Sequence, residues 1–144
     1  MSEENVARMR RVVEMFNDDQ PREREEVQAR AAGVYHPEVE ARDLQPPPDM
    51  PALVRGREAV VDNLLRWTEL FDDWAVEVLE YVDADPWVIC DSRWRATGKG
   101  SETPVEWRVA EAHEFRDGKI VREIYGFGDV EQALEAVRAE GARA

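Results

Sequence analysis

Residues 105–127 read VEWRVAEAHEFRDGKIVREIYGF. Alternating polar and apolar residues on both sides of Arg116-Asp-Gly-Lys119 predict two strands, Val105–Phe115 and Lys119–Phe127, joined as a hairpin. One face of that hairpin has unusual content. Positions where alternation calls for plain core hold Glu111, His113, Glu123 and Tyr125, on the same side as Trp107, Val109 and Phe127. A carboxylate turned inward is costly unless it is paired or hydrogen-bonded.

The cross-strand partners depend on the turn. A type I turn with Gly118 left-handed and a bulge pairs Phe115 with Lys119. Glu111 then faces Glu123, His113 faces Val121, and Val109 faces Tyr125. A two-residue loop would set Glu111 opposite Ile124 and split the cluster. The bulged turn is the expected one, because Asp117 and Gly118 then occupy positions that tolerate them. Two facing carboxylates cannot both ionise cheaply, so one keeps a proton or a cation such as His113 sits between them. The plain alternative is a satisfied, buried Glu–His network without chemistry. The other face carries Ala110, Ala112, Ile120 and Ile124 among Glu114 and Arg122. It is too apolar for a solvated surface and predicts a homodimer through this outer sheet face.

Upstream, Val6, Met9, Val13 and Phe16 predict a helix over 3–17, and a break at 17–21 precedes a second over 22–33, ended by Gly33. Glu38–Asp43 reads as a short strand. Residues 44–51, LQPPPDMP, lack the backbone donors of regular structure and form a loop, either a connector or a rim to a site. A helix from Gly56 to Leu70 has a wide apolar face that includes Trp67 and is followed by Phe71. Strands Trp74–Val82 and Trp87–Thr97 precede the hairpin, and Asp129 with Gln132 caps a last helix. Helices set against an antiparallel meander make one α+β domain over residues 1–144, with a curved sheet wrapped around helices to leave an internal pocket.

The chain has 144 residues, 43% hydrophobic, with five tryptophans and a formal charge of −13. It is folded rather than disordered, and its charge repels nucleic acid and anionic membranes. No apolar run approaches a membrane span and no leader is visible, so a cytoplasmic protein is expected. The single cysteine, Cys90, excludes an internal disulfide. His36 and His113 fall in no ligand spacing, and no phosphate loop, dinucleotide fingerprint or serine-nucleophile motif is present, so neither metal nor cofactor is called for.

Four segments carry a family resemblance: Tyr35-His-Pro-Glu-Val-Glu-Ala-Arg-Asp43, Arg55-Gly-Arg-Glu-Ala-Val60, Arg93-Trp-Arg-Ala-Thr-Gly98 and Phe115-Arg-Asp-Gly-Lys-Ile-Val-Arg122. In that order they resemble SnoaL-like proteins of the NTF2-like superfamily. The resemblance implies a cone of curved sheet with an apolar pocket, in a fold that hosts isomerases, cyclases, dehydratases, epoxide hydrolases and proteins without chemistry. The short connector Lys99–Pro104 departs from the longer one of the polyketide ester cyclases. The resemblance places Asp43 on the general base of ketosteroid isomerases and Glu111 near their protonated acid. Their helix-1 tyrosine falls on Val12, which leaves Tyr125, or Tyr35, to supply a donor. Asp91 and Arg93 match an epoxide-hydrolase pair, but strand alternation turns them outward.

The expected function is a pocket for a small apolar, carbonyl-bearing molecule with acid–base isomerase, dehydratase or cyclase activity. Asp43 is the base, Glu111 the acid, and His113 and Tyr125 orient or donate. Trp67, Phe71, Trp107, Val109, Glu123 and Phe127 line the ligand site. The alternatives are a non-catalytic binding module and an accessory dimerisation domain of the same fold.

Overall fold

A computed structural model describes residues 2–18 and 20–143; Asp19, in the predicted break, and the two end residues of the chain lie outside the described residues. Helix α1 (Ser2–Asp18) carries Glu3 and Glu4 in its first turn, where the helix dipole favours negative charge. Helix α2 (Arg24–Val34) buries Val27 and Ala31 and passes through Gly33 to Val34 before stopping. Strand β1 (Tyr35–Asp43) begins at once, earlier than alternation suggested. Strand β2 (Leu53–Arg55) follows the proline-rich loop; it is too short to show a period, and the sequence did not reveal it. Then come α3 (Arg57–Leu70), β3 (Phe71–Ala84), β4 (Trp87–Gly98), β5 (Pro104–Arg116), β6 (Lys119–Phe127) and α4 (Val130–Arg143).

The six strands form one curved, unclosed sheet in the order β2-β1-β6-β5-β4-β3. It is mixed rather than wholly antiparallel, because β1 lies parallel to β6. Hairpin signals reveal only sequential neighbours, and this pair is joined by a long crossover that includes α3 and the meander. At the free edge, the Asn17 side chain donates to Val76 O at 2.7 Å and accepts from Val76 N–H at 2.9 Å. Gln20 and Arg22 donate to Trp74 O and Asp72 O. The start of β3 is thus covered by the α1–α2 connection, which keeps the ladder from continuing there.

The register of the β5–β6 hairpin differs from the expected one. Asp117 (φ 54°) and Gly118 (φ 79°) are both left-handed, the signature of a two-residue type I′ loop closed by Arg116 and Lys119. Phe115 therefore pairs with Ile120, not Lys119. A two-residue loop alone would have split the polar cluster. A bulge that takes up Val121 restores the phase, so His113 pairs with Glu123 and Glu111 with Tyr125. Glu111 and Glu123 are not directly opposed, yet all four side chains keep one face. A second bulge falls at Gly126 (φ 110°), between the pairs Glu111–Tyr125 and Ala110–Phe127. It turns Phe127 to the outer face, away from its predicted place in the pocket.

That outer face is covered from within. Trp87, Ile89, Ala110, Ala112 and Phe127 pack with Ala133 and Val137 of α4, and Ile124 joins them. The apolar pattern that suggested a homodimer through this face is satisfied by the chain's own helix. Ile120 lies in a different cluster, with Met9, Val88, Cys90 and Phe115. Helix α4 is held by the predicted cap: Gln132 N–H donates to Asp129 Oδ1 at 2.9 Å, and Gln132 Oε1 accepts from Gly128 N–H at 3.0 Å. Among the described residues no helix is long and apolar enough to cross a membrane.

Candidate functional site

Between the inner sheet face and helices α1, α2 and α3 lies a cavity of about 250 Å³. Phe16, Trp67, Trp74 and Trp94 supply flat apolar wall. The exposed Arg42 and Pro51 belong to the same lining, so the cavity meets the surface beside Asp43 and the proline-rich loop. Strands β1, β4, β5 and β6 contribute Tyr35, Asp43, Ser92, Glu111, His113, Glu123 and Tyr125, and Gln20, Arg30, Asn63 and Thr68 add polar groups from the helical side.

Strand register arranges these groups in two rows. In one, Asp43 pairs with Tyr125 across β1 and β6, and Tyr125 pairs with Glu111 across β6 and β5. In the other, Ala41 pairs with Glu123 and Glu123 with His113. His113 stands between the two glutamates: Nδ1 is 3.2 Å from Glu123 Oε1 and Nε2 is 4.0 Å from Glu111 Oε1. Glu111 Oε2 accepts a hydrogen bond from Trp94 Nε1 at 3.1 Å. Tyr125 Oη accepts one from Trp107 Nε1 at 2.5 Å. At the rim, Asp43 Oδ1 accepts the Gln45 amide at 2.8 Å, so this residue also caps the turn into the loop.

Burial sets the electrostatics. It pushes the Glu111 carboxyl above the ordinary glutamate range, against the lowering pull of His113 and of the Ser92 and Trp94 donors. It pushes Asp43 up as well, opposed by the Gln45 amide. Burial pulls the His113 imidazole down, but the Cys90 thiol and the Glu123 carboxylate beside it more than reverse that, and the net shift is upward. Burial thus favours the protonated form of Glu111, beside an imidazole that stands 3.2 Å from Glu123. Tyr35 and Tyr125 are raised by burial too, so both phenols keep their protons.

Of the predicted site residues, Asp43, Glu111, His113, Tyr125, Glu123 and Trp67 all line one cavity. Phe71 does not; it stacks on the far side of Trp67 with ring centroids 5.1 Å apart. Val109 is buried short of the cavity, and Phe127 is on the outer face. Trp107 also stands behind the lining, where it touches Tyr125 rather than the ligand space. Asp91 and Arg93 are turned away as alternation required, paired with Arg108 at 2.7 Å and Glu77 at 3.1 Å. His36 is structural: its Nδ1 accepts the Glu38 amide at 3.0 Å. Cys90 and Ser92 were not singled out, although the alternation Val88-Cys90-Ser92-Trp94 already put them on the inner face.

The fold recurs among solved structures. TerC, crystallised with polyporic acid, is 16% identical with a TM-score of 0.68, covering 94% of this chain and 98% of its own. An NTF2-like protein of Anabaena variabilis is 18% identical with a TM-score of 0.70, covering 89% and 92%. A protein of Catenulispora acidiphila with a ketosteroid isomerase-like fold, in complex with trimethylamine, is 17% identical with a TM-score of 0.60, covering 70% and 74%. At these identities the likeness is one of fold. No curated protein matches the chain in sequence. The SnoaL-like domain family, however, matches residues 9–123, most of the chain and all the elements from α1 into β6. The chain belongs to the SnoaL-like domain family, built on the NTF2-like fold.

Proposed function

We propose that this protein binds a small apolar molecule bearing a carbonyl and performs acid–base chemistry on it, as an isomerase, dehydratase or cyclase without a cofactor. The row Asp43–Tyr125–Glu111 across three adjacent strands carries the reading. Neighbouring strands stand about 4.8 Å apart, so the outer members are roughly 10 Å apart, enough to hold a ring between them. Asp43, half-buried at the rim, stays in contact with solvent and serves as the base. Glu111, 8% exposed and with its carboxyl raised by burial, donates in its protonated form to the carbonyl oxygen with Tyr125 as negative charge develops there. Trp94 Nε1, donating at 3.1 Å, holds Glu111, and His113 stands 4.0 Å from it and 3.2 Å from Glu123. The complexes of TerC with polyporic acid and of the Catenulispora protein with trimethylamine support a small-molecule role for this fold.

The test is exchange of the α-protons of a small bicyclic ketone such as 2-tetralone in D₂O, followed by proton NMR. Exchange faster than in buffer is expected, with a loss of about 10²-fold or more in Asp43→Asn. Saturable binding with no exchange would favour the ligand-binding module, a reading supported by the hydrogen bond that Glu111 already accepts from Trp94.

A further inference from the structure

Tyr125 and Glu111 are opposite one another on β6 and β5, and each accepts a hydrogen bond from an indole. Those indoles, Trp107 and Trp94, are themselves cross-strand partners on β5 and β4, stacked 6.2 Å apart with their planes 9° from parallel. An indole N–H can only donate. The Tyr125 oxygen therefore meets a donor from behind, and its own hydrogen must point elsewhere. With the ring on the cavity wall, elsewhere is the cavity. Glu111 differs: the Trp94 N–H on Oε2 favours its ionised form and His113 Nε2 stands 4.0 Å from Oε1, so the preset polarity belongs to Tyr125.

We infer that Trp107 is a positioning residue that fixes Tyr125 as a hydrogen-bond donor, so that the cavity selects ligands presenting an acceptor oxygen that gathers negative charge, the class of enols, phenols and conjugated ketones. This deepens the proposed acid–base reading and rests on it. Preset polarity matters because a phenol or a carboxylic acid can turn either its hydrogen or its lone pair to a ligand. A neighbouring obligate donor removes that choice before the ligand arrives, and preorganised donors cost no reorganisation during reaction. Trp107 does this without touching the ligand, since it stands outside the lining. Its removal therefore separates polarity from shape.

The experiment compares 4-nitrophenol with toluene as ligands in Trp107→Phe, which keeps an aromatic ring against Trp94 and removes the N–H with part of the indole, a loss of bulk for which toluene is the control. The wild type is expected to prefer the phenol. Trp107→Phe should bind 4-nitrophenol about three- to tenfold more weakly, the loss of one hydrogen bond's orientation, and toluene unchanged. In a Tyr125→Phe background, the same Trp107→Phe change should have no further effect on phenol binding. Equal weakening for both ligands, or an undiminished effect in the Tyr125→Phe background, would show that Trp107 only shapes the wall and would overturn the inference. No preference for the phenol in the wild type would instead overturn the acid–base reading, and the inference with it. Should Trp107→Phe fail to fold, ultraviolet Raman of the wild type against Tyr125→Phe decides the point: the Tyr125 phenol must report as an acceptor in the empty protein, and a donor-only signature would refute it.

Discussion

Gly126 lies where the fold and the site meet, and Gly126→Ala tests the reasoning that joins them. Its φ of 110° is a region that residues with a Cβ avoid, at about 1–2 kcal/mol. A Cβ there would stand 3.2 Å from the Cβ of Leu44 and 3.4 Å from the amide nitrogens of Leu44 and Gln45. Leu44 cannot simply retreat, because its N–H donates to Tyr125 O at 2.8 Å, a bond worth about 1 kcal/mol. Together these predict a loss of about 2–4 kcal/mol, a fall of roughly 1–2 M in the urea midpoint. Gly33→Ala is the control. Gly33 sits in α2 with nothing within 4 Å of a new Cβ, and the same chemical change should stabilise by about 0.5–1 kcal/mol. Urea unfolding followed by tryptophan fluorescence reads both. Gly126→Ala within about 0.5 kcal/mol of wild type, or Gly33→Ala just as damaging, would refute the assignment of the bulge.

Other outcomes follow from the same geometry. Folding raises the His113 imidazole, and a group raised by folding stabilises fully below its unfolded pKa and loses that contribution as the pH climbs through its folded one. Stability should therefore decline with rising pH above about 6.5, and His113→Gln should flatten that decline in urea midpoints measured from pH 6 to 9. Asp129→Ala should cost about 1 kcal/mol through the lost α4 cap, and Asp129→Asn almost nothing, as read by thermal unfolding. Ile89→Ala, at a fully buried position under α4, should cost about 2–5 kcal/mol while leaving ligand affinity unchanged.

Most of the fold was legible because its signals are local. Helical spacing from Val6 to Phe16, alternation in β4 to β6 and the Asp129–Gln132 cap each sit within a few residues of one another. The parallel β1–β6 pair was not legible, since nothing local marks a partner some 80 positions away. The site was half legible for a subtler reason. Alternation put Glu111, His113, Glu123 and Tyr125 on one face, and they are there. Their pairing was misread because a tight Asp117-Gly118 loop and a bulge at Val121 shift the phase by compensating amounts. The Gly126 bulge has no such compensation within the strand, and Phe127 crosses to the other face. The outer pattern at Ala110 and Ala112 was read correctly as needing cover, but the sequence does not say whether a second copy or α4 supplies it.

The central claim is that burial on the cavity wall holds the Glu111 carboxyl above the ordinary glutamate range, against the pull of the donors beside it. Carbon-detected NMR of the glutamate carboxyls across pH 3 to 9, with Glu111→Gln for assignment, measures it directly. The account predicts that the Glu111 carboxyl titrates clearly above ~4.3, the value of a free glutamate, and higher still in Trp94→Phe, where a donor that favours the ionised form is gone. A Glu111 that titrates at ~4.3, unmoved by Trp94→Phe, would be a solvated carboxylate and would contradict the account.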